Sequence, residues 1–516
     1  MINSVYNSNN AGVSNFLTNS QQALGLGTAT TATIGEYIGN NDILESEFGR
    51  AIYTYNNKYS ITATFRADRS SKFAEGHQTG YFPSASASWR LSEEPFMAGI
   101  KSVADNIKLR VGYGETGNQS VPSYLYGSAL NSVTTGIGTG FTIDKVPNPK
   151  LTWETALQFD AGIDFSLFNN RIDGSIDYFD KRSKNFLFQA ALPAFLLGQS
   201  AEYSGTGVIS PPYVNGGELS NKGFDITINS HNIITKDFKW STSLIFSHYK
   251  NKVLSLYNGV PYIGANVTTS FLSLPVTRTQ PGTSVGEFYG YKVQGIFQTD
   301  AQLRSAPPQF APRPVGNSSG STWLGDIQFQ DVNHDGKVDI NDQTDLGSPN
   351  PKFTYGITNS FAYKAFDLSI FLSGSYGAKI FNVLDYQIAS LGSLYQNQLA
   401  SVANFWTPSN PTSNIPRPSA GDNPNLYNSD RFIESGSYLR IQNVALGYTI
   451  PASVARRLKM NRLRVYASGQ NLYVFTKYKG LDPEIGSINQ NVFLTGVDLG
   501  RYPQPRTITF GINAEF

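Results

Sequence analysis

Cysteine is absent from the 516 residues. That excludes a disulfide framework, thiolate zinc sites and cysteine nucleophiles. Histidine is nearly absent: His77, His231, His248 and His334 stand far apart in the chain. HExxH does not occur, and "GIGTG" at 136–140 lacks the strand–helix context of a phosphate loop, so no catalytic site is expected. Charged residues make up 15% of the chain, against a usual ~25%. They are balanced, 40 Lys+Arg against 38 Asp+Glu, which provides no footprint for nucleic acid. Long apolar runs are missing too. The most apolar stretch, "AALPAFLLG" at 190–198, is broken by Pro193 and falls short of the ~18 residues of a membrane-spanning helix. The opening "MINSVYNSNN" has neither a basic nor an apolar leader region, so no signal peptide is read there.

What the chain does have is aromatics, 13%, and 48 glycines, arranged with a period of two. In "LTWETALQFDAGIDFSLFNNRIDGSIDYFD" from Leu151, Phe159, Ala161, Ile163 and Phe165 share one face, and Gln158, Asp160, Gly162 and Asp164 the other. After Asn169-Asn170 the alternation restarts with Ile172, Gly174, Ile176 and Tyr178, which reads as a hairpin. "KFTYGITNSFAYKAFDLSIFLSGSYG" repeats the pattern. About fourteen such segments run from Gly49 to Phe516, many of ~10 residues. A soluble sandwich uses shorter strands and points its apolar face inward. An outer-membrane barrel points that face at lipid and keeps a polar lumen. The strand length and the carboxylates at Asp160, Asp164, Asp173 and Asp177 favour the barrel, whose partner is then the lipid bilayer. Tyr53, Tyr55, Tyr59, Tyr363 and Phe366 lie near strand ends and fit interfacial girdles. Tight turns alternate with long Gly/Ser/Pro/Asn-rich loops near 115–150, 183–222, 250–282, 298–350 and 377–432, the asymmetry of periplasmic turns and extracellular loops.

"DVNHDGKVDIND", residues 331–342, has the oxygen spacing of a calcium loop. Asp331, Asn333, Asp335, the Lys337 carbonyl, Asp339 and Asp342 occupy the ligand positions, with Gly336 at the sharp turn. Asp342 replaces the usual glutamate, and a strand-like "GDIQFQ" precedes the loop. The expectation is a structural Ca²⁺ clip within a long loop. The alternative is an Asp/Asn/Gly turn capped by its own side chains.

At "GDIQFQDVNHDGKVDINDQTDLGSPNPKFTYGITNSFAYKAFDLSIFLSGSYG" the chain resembles the SusC/RagA family of TonB-dependent outer-membrane transporters. "LRVGYGETGNQ", "NPKLTWETALQFDAGIDFSLFNNRI", "GELSNKGFDITI", "FIESGSYLRIQNVALGYTIP" and "LRVYASGQNLYVFTKYKGLDPEI" agree. The final strand "RTITFGINAEF" resembles the terminal signal read by the barrel-assembly machinery, with Phe510, Ile512, Ala514 and Phe516 on one face. Phe510 departs from it, standing where that signal is polar. The resemblance implies an all-β, antiparallel transmembrane β-barrel in the bacterial outer membrane. It implies import of an oligosaccharide or peptide, a SusD-like surface lipoprotein as partner, and energy from TonB–ExbB–ExbD. The chain is expected to be the C-terminal barrel part of such a 22-stranded transporter, without its plug: a polar, loop-like segment over 1–45 and barrel over 46–516. TonB coupling would then run through N-terminal parts not represented in this sequence. Loop aromatics Tyr203, Tyr213, Tyr262, Trp323, Tyr386 and Tyr395 are the candidates for stacking on cargo. Two alternatives stay open: a passive pore formed by a smaller barrel, and a β-rich surface protein that binds glycans or adheres.

Overall fold

The computed structural model describes residues 2–16, 29–135, 138–190, 209–269, 272–310, 322–391, 397–419 and 424–516. Within them, one sheet of fourteen strands dominates. In chain order the strands are β1 (Ile2–Phe16), β2 (Ala29–Tyr55), β3 (Tyr59–Ser70), β4 (Thr79–Arg90) and β5 (Ala104–Asn118). Then come β6 (Glu154–Leu167), β7 (Ile172–Lys184), β8 (Glu218–Ile234), β9 (Phe238–Ser255) and β10 (Phe353–Tyr363). The last four are β11 (Phe366–Tyr376), β12 (Tyr438–Thr449), β13 (Arg462–Thr476) and β14 (Thr507–Glu515). Each pairs antiparallel with its neighbours in this order. No described helix is long and apolar enough to cross a membrane.

Local chemistry explains the hairpins. At one end of the sheet β2 turns into β3 through Asn56 and Asn57, at φ of 48° and 53°. β6 turns into β7 through Asn169 and Asn170, at 55° and 63°. Asparagine tolerates this left-handed backbone better than other chiral residues, so these pairs close tight turns at low cost. The opposite end carries the long connections 71–78, 119–153, 185–217, 256–352, 377–437 and 477–506. Tight turns, together with the moderate connections 91–103 and 450–461, mark the periplasmic end, and the longest loops the extracellular one.

The segmentation differs from the sequence expectation in two places. Residues 1–45 are not loop-like throughout, because β1 and most of β2 lie there and extend the sheet. Their Asn, Ser and Thr content suggests loop, but a strand ladder is held by backbone hydrogen bonds that any residue except proline supplies. The expected loops 250–282 and 298–350 are parts of one connection. The apparent strand between them is two four-residue strands, Glu287–Gly290 and Val293–Ile296, that pair with other loop segments. Alternation alone does not distinguish a membrane strand from a loop strand; only length does.

The sheet's outer face carries exposed apolar side chains: Leu109, Val111, Tyr113, Phe159, Ile176, Tyr178, Leu446, Val465, Ile508, Phe510 and Ile512. Aromatic pairs sit next to the tight turns. Tyr55, Tyr59 and Trp89 stack in sequence, at 6.5 and 6.3 Å between ring centres. Trp240 stacks on Phe361 at 5.7 Å, and Phe366 meets Tyr448 at 4.7 Å. This is the amphipathic belt expected at a membrane–water boundary.

Buried hydrophobic clusters occur instead among the extracellular connections. Val276, Phe288, Phe381, Val383, Phe432 and Val497 anchor one, which joins three loops. Phe73, Phe82, Val121, Leu125, Leu151 and Trp153 form a second. Tyr291, Ile327, Phe329 and Val338 form a third. A four-stranded sheet (Ile263–Thr269, Leu272–Thr279, Glu287–Gly290, Thr344–Gly347) stiffens the longest loop. In a small three-stranded sheet, Lys379–Asn382 pairs with Ile433–Ser435 and Val497–Asp498, tying 377–437 to 477–506.

The absence of cysteine makes the facing of the strands directly testable. Single cysteines at Phe159, Ile370 and Ile512 carrying a fluorescent label are expected to be quenched from the lipid phase. Labels at Asp160 and Ser369 are expected to be quenched from water. Equal access of both sets to the aqueous quencher would overturn the assignment of the outer face.

Candidate functional site

The wet face of the sheet is built around arginine. Register places Arg110 of β5 opposite Gly162 of β6, and Gly162 opposite Asp177 of β7. The Arg110 guanidinium donates to both oxygens of Asp164, at 2.8 and 2.6 Å, and to Asp177 Oδ1 at 2.7 Å. It reaches Asp177 by passing over Gly162, where a Cβ would lie 2.2 Å from Asp177 Oδ1. The same arrangement recurs at the C-terminal side. Arg464 of β13 passes over Gly447 of β12 and grips the Asp367 carboxylate of β11, with Nε 2.9 Å from Oδ1. A Cβ at Gly447 would stand 2.3 Å from the guanidinium. Glycine is therefore required at both crossings for steric reasons. The sequence holds all seven residues in view, but the arginines and their acids lie 54 to 97 positions apart, and only register brings them together. Asp160 and Asp164, read as lumen-facing, do share this face, with Lys108, Gln158 and Asp225.

One arginine is taken wholly out of water. Arg440, near the extracellular end of β12, is 2% exposed and pairs with Asp482 at 2.8 Å and Glu484 at 3.2 Å. Both acids belong to the connection 477–506, so this charge cluster pins that loop to the wall. Left without its acids, a charge so buried would be strongly destabilising.

The acidic loop 331–342 is folded as a series of side-chain-capped turns. Asp331 Oδ2 accepts from Gly336 N–H, Asn333 Oδ1 from Asp335, Asp335 Oδ1 from Lys337 and Asp339 Oδ1 from Asn341. Asp342 is fully buried, and its two oxygens accept from Val332, Asn333 and Asp339. The second oxygen of Asp339 meets Lys337 Nζ at 2.6 Å, an ion pair that holds the Asp339 carboxyl below its ordinary range. Asp331 Oδ1 is buried and has no hydrogen-bond partner. The fit to Ca²⁺ is thus partial. Asp331 offers a free oxygen, whereas Asp342, Asp335 and Asp339 already have donors. Among the described residues no three His, Asp or Glu side chains converge as a ready metal cluster.

The sequence-selected aromatics do not gather at one place. Tyr203 and Tyr395 lie outside the described residues. Tyr213 packs beside the cluster around Trp153, and Tyr386 lies edge-on to Phe432 with its hydroxyl donating to the Leu426 carbonyl at 2.9 Å. Tyr262 and Trp323 are exposed. Tyr262 and Tyr289 sandwich the Arg278 guanidinium at 3.9 and 3.7 Å, and Arg417 lies over Trp323 at 5.5 Å. A hollow beside the acidic loop, lined by Tyr291, Phe310, Tyr427, Asn428, Asp339 and Gln343, was not anticipated. Its members come from segments about a hundred residues apart. On β14, Phe510 and Ile512 are 79% and 69% exposed on the apolar face, with Ala514 in the same alternation and Phe516 just beyond.

Residues 3–472 match the family model described as "TonB dependent receptor-like, beta-barrel". The chain belongs to this family. TonB-dependent receptor P3 of Formosa agariphila is 34% identical over 98% of this chain and 49% of its own length. The TonB-dependent receptor SusC of Bacteroides thetaiotaomicron is 29% identical over 92% of this chain and 44% of its own. The chain spans about half the length of the curated relatives it matches. Among solved structures, the RagAB peptide importer in its closed-closed state superposes with a TM-score of 0.78 at 21% identity, covering all of this chain and 52% of that one. At that identity the likeness speaks for the fold. As a TonB-dependent receptor barrel of SusC/RagA type, the chain is a protein of the outer membrane, and its strands span that bilayer.

The extracellular crown of this receptor barrel holds one carboxyl poised near neutrality. Glu287 faces Asp345 within the four-stranded loop sheet, opposite Arg278 in register. The Arg278 guanidinium is occupied by its two tyrosines. Burial, and then the charge of Asp345, push Glu287 up to about 7. Because the folded form holds this proton more tightly than the unfolded form, the crown is expected to lose stability as pH rises from ~4.5 to 7, with no further loss above that. Protection factors of residues 272–290, corrected for the intrinsic pH dependence of amide exchange, should be larger at pH 5 than at pH 7.5. In Glu287→Gln the difference should shrink. An unchanged difference in that variant would assign the effect to other carboxyls.

Proposed function

We propose that the chain forms wall and extracellular crown of a TonB-driven outer-membrane importer. Its cargo is an oligosaccharide or a peptide, and a SusD-like surface lipoprotein covers its mouth. The observation that carries this reading is the crown itself. Six connections at one end of the sheet are folded around their own apolar clusters and stand above a polar wall. Loops that only closed hairpins would not need cores. A rigid extracellular surface with exposed aromatics suits capture of large polar solutes and docking of a partner. The names of similar proteins, a TonB-dependent receptor SusC and a peptide importer RagAB, support the same class. Affinity purification of the chain from native outer membranes should recover a surface lipoprotein. Cells carrying it should accumulate labelled oligosaccharide or peptide, and accumulation should stop when the proton-motive force is dissipated. Uptake that continues without that force would mean a passive pore. Recovery of the chain in the soluble fraction without detergent would mean a surface adhesin.

We further propose that the loop 331–342 takes one Ca²⁺ as a structural clip. The unpartnered Asp331 oxygen supports this, with the six donor positions at calcium-loop spacing. The ion would displace Lys337 as the counter-charge of Asp339. Calorimetry with Ca²⁺ should give a binding heat that Asp331→Ala removes, and a chelator should raise proteolysis of the loop. Absence of heat together with unchanged proteolysis would leave the loop as a self-capped turn.

A further inference from the structure

On the outer face, near the extracellular ends of the strands, aromatic rings stack across four neighbouring strands. Phe224 of β8 lies 5.9 Å from Phe246 of β9, Phe246 5.3 Å from Phe353 of β10, and Phe353 5.0 Å from Tyr376 of β11. Tyr355 of β10 lies on the same face, its ring covering Gly374. Two strands on, Phe475 of β13 is half exposed. This is the belt where the sheet leaves the outer leaflet. Three lysines rim it: Lys352 just before β10, Lys379 just after β11 and Lys477 just after β13. All three are exposed, and among the described residues none has an ion-pair partner. With Phe353, Tyr376 and Phe475 they enclose an open hollow of about 930 Å³, within the ~300–1,000 Å³ range of small-ligand sites.

Ordinary snorkelling places single lysines along a membrane boundary. Here three converge on one hollow with an aromatic floor and no acid to neutralise them. Elsewhere on the sheet Arg110, Lys222 and Arg464 each hold a carboxylate. We propose that this hollow is a binding site for a phosphorylated lipid of the outer leaflet. The headgroup phosphates would be held by Lys352, Lys379 and Lys477, with the acyl chains lying down the outer face across Phe353 and Phe475. The charge complementarity selects an anionic headgroup, and the outward apolar floor selects a lipid over a soluble phosphate. Every element of the site belongs to β10–β13 and their connections, so it is complete within this chain. It does not depend on what the receptor imports.

Native mass spectrometry of the protein extracted from outer membranes in mild detergent tests this. The wild type should retain a phosphorylated lipid. The triple variant Lys352→Gln/Lys379→Gln/Lys477→Gln should bind added phosphorylated lipid A roughly a hundredfold more weakly, at about fivefold per lysine. A control triple variant at the opposite end, Lys236→Gln/Lys364→Gln/Lys459→Gln, should bind as the wild type does. Chemically dephosphorylated lipid A should bind the wild type as weakly as phosphorylated lipid binds the first variant. Inorganic phosphate at millimolar concentration should not displace the lipid. Equal retention by both triple variants, equal binding of dephosphorylated lipid, or displacement by inorganic phosphate would each overturn the proposal. Heat-modifiability on gels, which reports a folded barrel, distinguishes loss of the site from failure to fold.

Discussion

Inside a bilayer no water is available to hydrogen-bond a peptide group, so each N–H and C=O of the chain must find a partner in the protein. The fourteen-stranded antiparallel ladder meets that demand for the twelve strands that have a neighbour on both sides, and most of its other properties follow. Because the ladder satisfies the backbone wherever register holds, side chains on one face are free to be apolar and those on the other free to be charged. A segment as polar as 2–16 can therefore join the sheet as readily as the Ile- and Phe-rich strands do.

The same constraint turns the usual plan of a globular protein inside out. The strands have apolar side chains facing outward and a wall of serines, aspartates and arginines facing inward. Tight hydrophobic packing is left to the extracellular connections, where water surrounds the chain and burial is again favourable. Those connections are long enough to hold several apolar clusters and a four-stranded sheet of their own. The crown and the wall are then joined by polar contacts, as with Arg440 between Asp482 and Glu484, and by Phe82 of β4, which belongs to the cluster around Trp153.

On the wet wall, glycine acts as a steric permission. Arg110 and Arg464 each span a strand to reach an acid two strands away, and only a residue without Cβ lets the guanidinium pass. Such crossings link three strands at once in a region where water weakens any single ion pair. They add side-chain ties to the backbone ladder without closing the polar space the wall borders.

Period-two alternation, the Asn-Asn turns, the contrast of short and long connections and the spacing of the acidic loop were all legible in the amino-acid order. Each depends on residues within ten or so positions of one another. Strand identity, facing and the outer-membrane class follow from them. Tertiary structure alone decided which short alternating runs belong to the wall and which, like 287–290, to the crown, since both satisfy the same local pattern. It also decided that Tyr213 and Tyr386 pack into clusters, that Asp342 is buried by backbone N–H donors, and that lysines from three separate connections rim one hollow. The physical reason is common to all of these. Register between strands and packing between loops are set by contacts across the whole chain, and a window of sequence carries no record of the partner it will meet.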